Sequence, residues 1–335
     1  MNFTGSMLNE IQATTRRGYA QMLYDQVSSQ TPFFNALFKE SQIAYGGESQ
    51  INVPVYGANT TVGSWAGSSG VFAQAQVLNG AQAISFNLNE AVVPVAVLDS
   101  VVRQQDRHAI VDKLNTDCWN SGQVMKELIS SAIFSGATAN QVTGLFAMVD
   151  DGTNYPIYGG INESLTGNSF WKAKCVFNAS LTTSTYNLIS QYITSCQKNA
   201  QGEKPTLGLV GSGLFTAITA TLTPNQRYNY SPNDGAFNIA STGFDALMVN
   251  NTPIYLCPEL DALETTNGYG TLLLLNMNYI NLYIHRLANF YWYDFQSLIP
   301  NGQMAHVGLL VTDLELVCSK RKANMQVTNL SIATV

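Results

Sequence analysis

Charge is what this sequence has least of. Asp, Glu, Lys and Arg together make up 11% of its 335 residues, where a soluble domain usually carries roughly 25%. That shortage excludes a disordered acidic chain, which is rich in charge and poor in aromatics. It excludes a polybasic nucleic-acid wrapper, because 22 acidic residues outnumber 16 basic ones and the net charge is −6. It also excludes a surface laced with ion-pair networks. Long hydrophobic runs are missing too. The longest aliphatic run, Leu272 to Leu275, is strand-sized, so no membrane-spanning helix is expected. The start, MNFTGSMLNEIQATTRRGYA, lacks the charged-then-apolar order of a secretory leader, and none is expected. The five cysteines (Cys118, Cys175, Cys196, Cys257, Cys318) are scattered, with no CxxC and no His/Cys cluster. That excludes a zinc site or a disulfide framework and leaves reduced, mostly buried thiols.

What stands in place of charge is Asn, Gln, Ser, Thr and Gly, because the hydrophobic share, 46%, is ordinary. Soluble chains keep apart from one another through surface charge. A chain with so little is expected to spend much of its surface on other protein. At roughly 150 residues per domain, the length suggests about two domains, with ample chain for a hydrophobic core.

The first 30 residues read as a helix. Tyr19, Met22, Leu23, Gln26 and Val27 follow helical spacing behind Arg16 and Arg17, and Thr31-Pro32 ends the pattern. Phe33, Phe34, Leu37 and Phe38 form an apolar knot. From Ser49 to Asn89 no residue is charged. Two alternating segments, INVPVY (51–56) and AISFNLNEAVVPVAV (83–97), bracket a Gly-, Ser-, Thr-, Asn- and Gln-rich stretch that carries Trp65 and Phe72. This predicts a protruding hairpin arm with a loose tip. A long helix is expected over about 106–135, with Ile110, Leu114, Cys118, Met125, Leu128, Ile129 and Ala132 on its apolar stripe, Asp106 at its start and Gly136 at its end. Short strands and loops follow to about residue 170. A second helix is expected over about 185–199, a buried strand over 207–211, a short helix over about 214–222 and a polar loop over 223–238. Strands are expected over 246–249, 253–257, 271–275, 279–284, 290–295 and 304–318. The class is α+β.

Catalytic motifs are absent. There is no P-loop and no HExxH, and Gly211-Ser212-Gly213 has Val210 where a nucleophile elbow needs glycine. It reads as a strand-to-helix turn. His108, His285 and His306 have no helically spaced His partner and read as core or surface residues. Asp150-Asp151, followed by Gly152 and Asn154, resembles a calcium loop without its closing Glu and reads as a plain turn. Glu259, Asp261 and Glu264 read as a solvated acidic loop. Asn-x-Ser/Thr triplets such as Asn59-Thr60-Thr61 reflect composition. The basic clusters Arg16/Arg17, Arg103/Arg107 and Lys320-Arg321-Lys322 are candidates for phosphate contact or for pairing across subunits. No cofactor, metal site or enzymatic activity is expected.

The order of parts resembles the major capsid proteins of tailed bacteriophages, which share the HK97-like capsid fold. The hairpin segments leading into the long helix carry the likeness. So do MKELISSAIFSGATANQVTGLFAMV (125–149), PTLGLVGSGLFTAI (205–218), MVNNTPIYLCPELD (248–261, with Asn251 where glycine is common) and GTLLLLNMNYINLYIHR (270–286). The resemblance implies an N-terminal arm (1–45), an extended hairpin arm (46–98), a peripheral domain with a spine helix (99–205 and 276–335) and an axial domain (206–275). It implies hexamers and pentamers of an icosahedral shell, assembled in the host cytoplasm around packaged double-stranded DNA that the chain contacts only weakly. A portal, a separate scaffolding protein and a decoration protein are the implied partners, and no membrane is involved. Val55, Tyr56, Trp65 and Phe72 are the implied intersubunit arm residues. The alternatives are an encapsulin-like nanocompartment shell and a phage tail or receptor-binding structural protein.

Some relatives join subunits covalently through an arm lysine and an asparagine. Here no lysine lies between Lys39 and Lys113. Assembled protein boiled in detergent should therefore run as one band near 36.4 kDa; a ladder of dissociation-resistant multimers would contradict this.

Overall fold

The computed structural model describes residues 33–34, 36–37, 42–47, 50–56, 81–99, 107–136, 138, 140–182, 186–221 and 246–332. The described chain opens with strands β1 (Gln42–Tyr45), β2 (Gln50–Tyr56), β3 (Ala81–Asn87) and β4 (Asn89–Leu98), followed by helix α1 (Arg107–Ile133). Then come the single turn α2 (Leu145–Met148), β5 (Ile157–Tyr158), β6 (Ile161–Asn162), β7 (Lys174–Thr182) and α3 (Tyr186–Asn199). The next stretch holds β8 (Leu207–Val210), α4 (Ser212–Ala220), β9 (Ala246–Val249), β10 (Thr252–Leu256) and α5 (Pro258–Asn267). The chain closes with β11 (Gly270–Leu275), β12 (Ile280–His285), β13 (Tyr291–Ser297), β14 (Ala305–Cys318) and β15 (Met325–Leu330). No described helix is long and apolar enough to cross a membrane.

One sheet is organised by β14, whose length lets it serve several partners. Along one edge it pairs antiparallel with β4, from Ala305↔Leu98 to Leu314↔Asn89. Along the other edge it carries β13 on its first half and β12 on its second, and β1 adds parallel to β12. In β4, Val93, Val95 and Val97 point inward while Pro94, Ala96 and Leu98 point out, the period of two that a strand with one buried face requires. Pro94 is tolerated because β4 uses only one edge for pairing among the described strands.

The second sheet has the order β7-β15-β11-β8-β10-β9. Its central strand β11 is buried at every position. Leu272 and Leu274 join a core with Ile189, Ile193 and Cys196 of α3 and with Leu214 and Ile218 of α4. Leu273 and Leu275 face the other way into the larger core, beside Leu207, Leu209, Tyr255 and Leu260. A fully buried leucine contributes about 1.5–3 kcal/mol, so this continuous leucine run is what glues the sheet to both layers. The sheet also recruits β7 and β15, whose sequences lie in the stretches expected to form the other unit. Neither strand, nor β1 nor α5, is anticipated from local pattern.

Where β9 turns into β10, Asn250 and Asn251 take φ of 48° and 63°. A two-residue hairpin loop needs such left-handed conformations, and asparagine tolerates them better than other side chains do. Asn251 therefore does what the glycine common at that position would do.

Helix α1 is about 40 Å long and matches the expected span to within two residues at each end. Met125, Ile129 and Ala132 are buried as expected, but Leu128 lies on the outer side with Val124. Side chains before Thr116 fall outside the described set. Gly136 does not take the left-handed conformation of a helix-ending glycine. The helix instead ends where the Ser135 amide and hydroxyl both donate back to the Ala132 carbonyl, at 3.2 and 2.7 Å.

Candidate functional site

The base of the neutral arm is a regular ladder, from Gln50↔Asn87 to Tyr56↔Ala81. Alternation places Ile51, Val55, Ile84 and Phe86 on its inner face. That face rests on the β5–β6 turn. Ser85 N donates to the Gly159 carbonyl at 3.1 Å, and Phe86 meets Tyr158 edge-on at 4.9 Å. Gly159 has φ +58°, and a β-carbon there would stand 2.9 Å from that of Ile84. Only glycine allows the arm to seat so closely.

At the root of the arm lies a buried carboxylate with no ion-pair partner among the described residues. Glu315 of β14 is fully buried. Asn89 Nδ2, at the last uncharged position of the arm, donates to Oε2 at 2.7 Å, and Thr143 N donates to Oε1 at 3.0 Å. Asn89 Nδ2 also reaches the Gln141 carbonyl at 2.9 Å. Arm, sheet and the loop after α1 thus meet on one carboxyl group. Burial pushes its pKa up to about 7, and the hydrogen bonds from Thr143 and Asn89 offset only part of that.

Below the arm, Arg321 is fully buried on the connection between the two sheets. Its Nε donates to the Met148 carbonyl at 2.7 Å, and Nη2 donates to the carbonyls of Ala147 and Asp150 at 2.9 and 2.8 Å. The guanidinium pairs with buried Glu163 and lies 4.5 Å from the Tyr158 ring centre. It satisfies carbonyls that the short turn α2 leaves without intrahelical partners. Burial lowers its pKa to about 10, so it stays charged at neutral pH. The acid that answers it is legible after the fact, because Glu163 is the only acidic residue between Asp151 and Glu203.

The acidic cluster expected in a solvated loop lies instead on helix α5, where it caps another helix. Ser212 N donates to Asp261 Oδ1 at 2.5 Å and Gly213 N donates to Glu264 Oε2 at 3.0 Å, placing carboxylates on the positive end of α4. A β-carbon at Gly211 would stand 2.4 Å from the Glu264 carboxyl carbon. The Gly-Ser-Gly element is therefore a strand-to-helix turn shaped to admit a carboxylate. Asp150 is a turn organiser as expected. Its Oδ2 accepts from the amides of Gly152, Asn154 and Tyr155 at 3.0, 3.0 and 2.8 Å. Asp151 and Cys175 stand close by, but burial holds the Cys175 thiol up at about 12, which disfavours the thiolate a metal would need. All five cysteines are free, and three are buried. His306 is mostly buried and pairs through Nδ1 with Asp99 at 2.8 Å, tying β14 to the end of β4.

No protein-family model matches this sequence, and no curated protein does. Solved structures match in shape. The capsid asymmetric unit of cyanophage A-1(L) superimposes with a TM-score of 0.62 at 14% identity, over 90% of this chain and 93% of that one. The capsid of a native GTA particle gives 0.53 at 10% identity, over 90% and 91%. The SrpI encapsulin of Synechococcus elongatus PCC 7942 gives 0.51 at 10% identity, over 90% and 89%. The chain has the HK97-like capsid fold.

Within the capsid fold, the expected functional residues are placed unevenly. Val55 faces the chain's own core and is not available to a neighbour. Arg321 cannot face DNA, because its side chain is consumed inside the protein. Lys320 pairs with Glu203 at 2.8 Å and lies 5.1 Å from the Tyr279 ring centre. Burial works against the Glu203 carboxylate, but hydrogen bonds from Lys320 and Tyr279 outweigh it and keep its pKa low. Lys322 is half-buried. Trp65, Phe72, Arg16, Arg17 and Arg103, with the side chains of Tyr56 and Arg107, lie outside the described residues.

Two outcomes test this geometry. Arg321→Ala strands the buried Glu163 and should cost about 3–5 kcal/mol of subunit stability in urea unfolding; a loss below about 1 kcal/mol would refute the strut. The Glu315 pKa is raised in the folded state, so its protonated form fits the fold better. Its contribution to stability is full below about pH 4.5 and fades as pH rises through 7. Glu315→Gln should therefore gain on the wild type by up to about 3 kcal/mol between pH 5 and 8. Parallel stability curves for the two proteins would count against it.

Proposed function

We propose that this chain is the major capsid protein of a tailed bacteriophage, building hexamers and pentamers of an icosahedral shell around packaged double-stranded DNA. The observation that carries the proposal is the capsid fold together with a neutral arm whose root is locked into the body, the sequence between its two paired strands, 57–80, carrying no charge. The chain is then part of the virion capsid, assembled in the host cytoplasm with a separate scaffolding protein and a portal, and open to a decoration protein. Peripheral and axial domains correspond in this reading to the β14 sheet with α1 and to the six-stranded sheet. Tyr56, Trp65 and Phe72 are the arm residues offered to a neighbour, with Val55 withdrawn. Arg103, Arg107 and Lys322 remain as cations for pairing across subunits or for weak contact with DNA.

The energetics suit a strap. Burying Trp65 or Phe72 covers roughly 150–250 Å², about 4–6 kcal/mol by area. Fixing a residue in one conformation costs about 1–2 kcal/mol. Each contact is modest alone, and a shell gains by making many at once, because a subunit held at one edge makes its next contact as if intramolecularly. The encapsulin-like shell stands as the second reading, since an encapsulin shares the fold.

Electron microscopy of purified protein or particles should show closed megadalton shells, and a discrete small oligomer would overturn the proposal. Packaged DNA in native particles separates the phage reading from the nanocompartment. Trp65→Ala should leave the subunit folded while its shells dissociate at lower urea than wild type; unchanged shell stability would remove the arm tip from the interface.

A further inference from the structure

One stretch of this acidic chain is basic. From residue 164 to residue 233 the only acid is Glu203, against Lys172, Lys174, Lys198, Lys204 and Arg227. The fold gathers part of that charge at the carboxyl end of α3. Lys174 Nζ donates to the Ser195 hydroxyl at 2.5 Å. Lys198 follows Ser195 by three residues, which makes the two neighbours on the helix surface. Asn199 Nδ2 donates to the Lys322 carbonyl at 3.0 Å, so the crossing from β14 to β15 lies against the same turn. Lys204 stands on the loop that leaves α3, where its carbonyl accepts from Asn276 Nδ2 at 3.2 Å. The one acid here is already engaged, because Glu203 accepts from Lys320 and from the Tyr279 hydroxyl, both at 2.8 Å. Lys174, Lys198, Lys204 and Lys322 have no ion-pair partner among the described residues.

The helix end accounts for part of this arrangement. Its free carbonyls carry about half a negative charge, too little to answer four ammonium groups. The outer stripe of α3 points the same way. Asn187, Gln191, Thr194 and Lys198 fall within about 60° of one another around the helix, and all four are exposed. The stripe is about 16 Å long and holds no acid and no large apolar side chain. Interfaces between proteins are built around an apolar centre. Amide, hydroxyl and ammonium side chains without such a centre are the set that contacts the sugar-phosphate backbone of DNA.

We infer that the outer face of α3, with Lys174, Lys198, Lys204 and Lys322 around its carboxyl end, is a contact surface for the phosphate backbone of double-stranded DNA. Lysine–phosphate contacts carry no sequence information, and four of them give weak, salt-sensitive binding. Of the run Lys320-Arg321-Lys322 only the last belongs to this surface, since Lys320 is paired and Arg321 is buried. The inference deepens the proposed function by naming the side of the subunit that meets the packaged DNA, and it rests on that reading for the source of the DNA.

The test uses full-length protein at a concentration where sedimentation shows it unassembled, so that every side of the subunit is open. It is titrated against a fluorescent duplex of about 30 base pairs between about 50 and 200 mM salt. Log affinity should fall with log salt at a slope of about −3 to −4, near −0.9 for each lysine engaged, and equally for duplexes of unrelated sequence. Lys198→Gln with Lys204→Gln and Lys322→Gln should weaken binding at least tenfold at about 50 mM salt and flatten the slope by about 2.7. Arginine at the same three positions should restore wild-type binding, which a merely misfolded subunit would not explain. Arg286→Gln, at an exposed cation between β12 and β13, is the control and should change neither quantity. Equal binding by the wild type and the triple glutamine variant, no binding by the wild type, or preference for poly-glutamate over DNA would overturn the inference. Shell formation is read separately by electron microscopy, so this inference and the capsid reading fail independently.

Discussion

A single buried cation holds the two sheets and the root of the arm in one arrangement. Arg321 stands on the connection between β14 and β15, so its backbone belongs to the crossing from one sheet to the other. Its guanidinium binds three carbonyls around α2 and one carboxylate, all on the stretch that seats the arm. Tyr158 links these parts further, with its ring between Arg321 and Phe86 and its hydroxyl accepting from the Cys318 amide at 3.1 Å. A guanidinium suits this place because its planar fork satisfies several acceptors at once and remains charged when buried. Burying such a pair is a net stabiliser only when nearly every donor and acceptor is satisfied; Nε and Nη2 meet three carbonyls, while Glu163 Oε2 has no hydrogen-bond partner among the described residues.

The remaining buried acids follow a related logic in a chain with few charges to spend. Glu264 and Asp261 occupy the amino end of α4, where the helix dipole supplies the positive field. Glu315 has hydrogen bonds from Asn89 and Thr143 but no ion-pair partner among the described residues, and its ionisation is correspondingly costly near neutral pH. A few charges in this protein thus sit inside the fold, at joints between elements, while the arm is left neutral. A neutral arm avoids like-charge repulsion wherever copies of one chain meet, and its root is rigid because β2 and β3 pack on the body rather than standing free.

Much of this was legible in the chain. Partial alternation in Ile51 to Tyr56 and in Ile84 to Val97 marked the arm and β4, and the helical stripe marked α1. Strands β7 and β15 were missed because neither alternates cleanly and each is held by pairing with a partner far away in sequence. Helix α5 was missed because its acids resembled a solvated loop, although Pro258 in its first turn and Gly268, at φ 71° just past its end, are local helix signals. The basic run at 320–322 looked like a surface patch because a sequence cannot show that its middle member turns inward.

What the sequence by itself determined is whatever depends on neighbours a few residues away: the α+β class, the neutral arm, the long helix, the asparagine turn at 250–251 and the absence of catalytic motifs. Tertiary structure alone decided which charges are buried and what they hold. The reason is distance. Arg321 and Glu163, or Glu315 and Asn89, meet only after the sheets have formed, and whether a charge is solvated or consumed depends on what the folded chain places beside it.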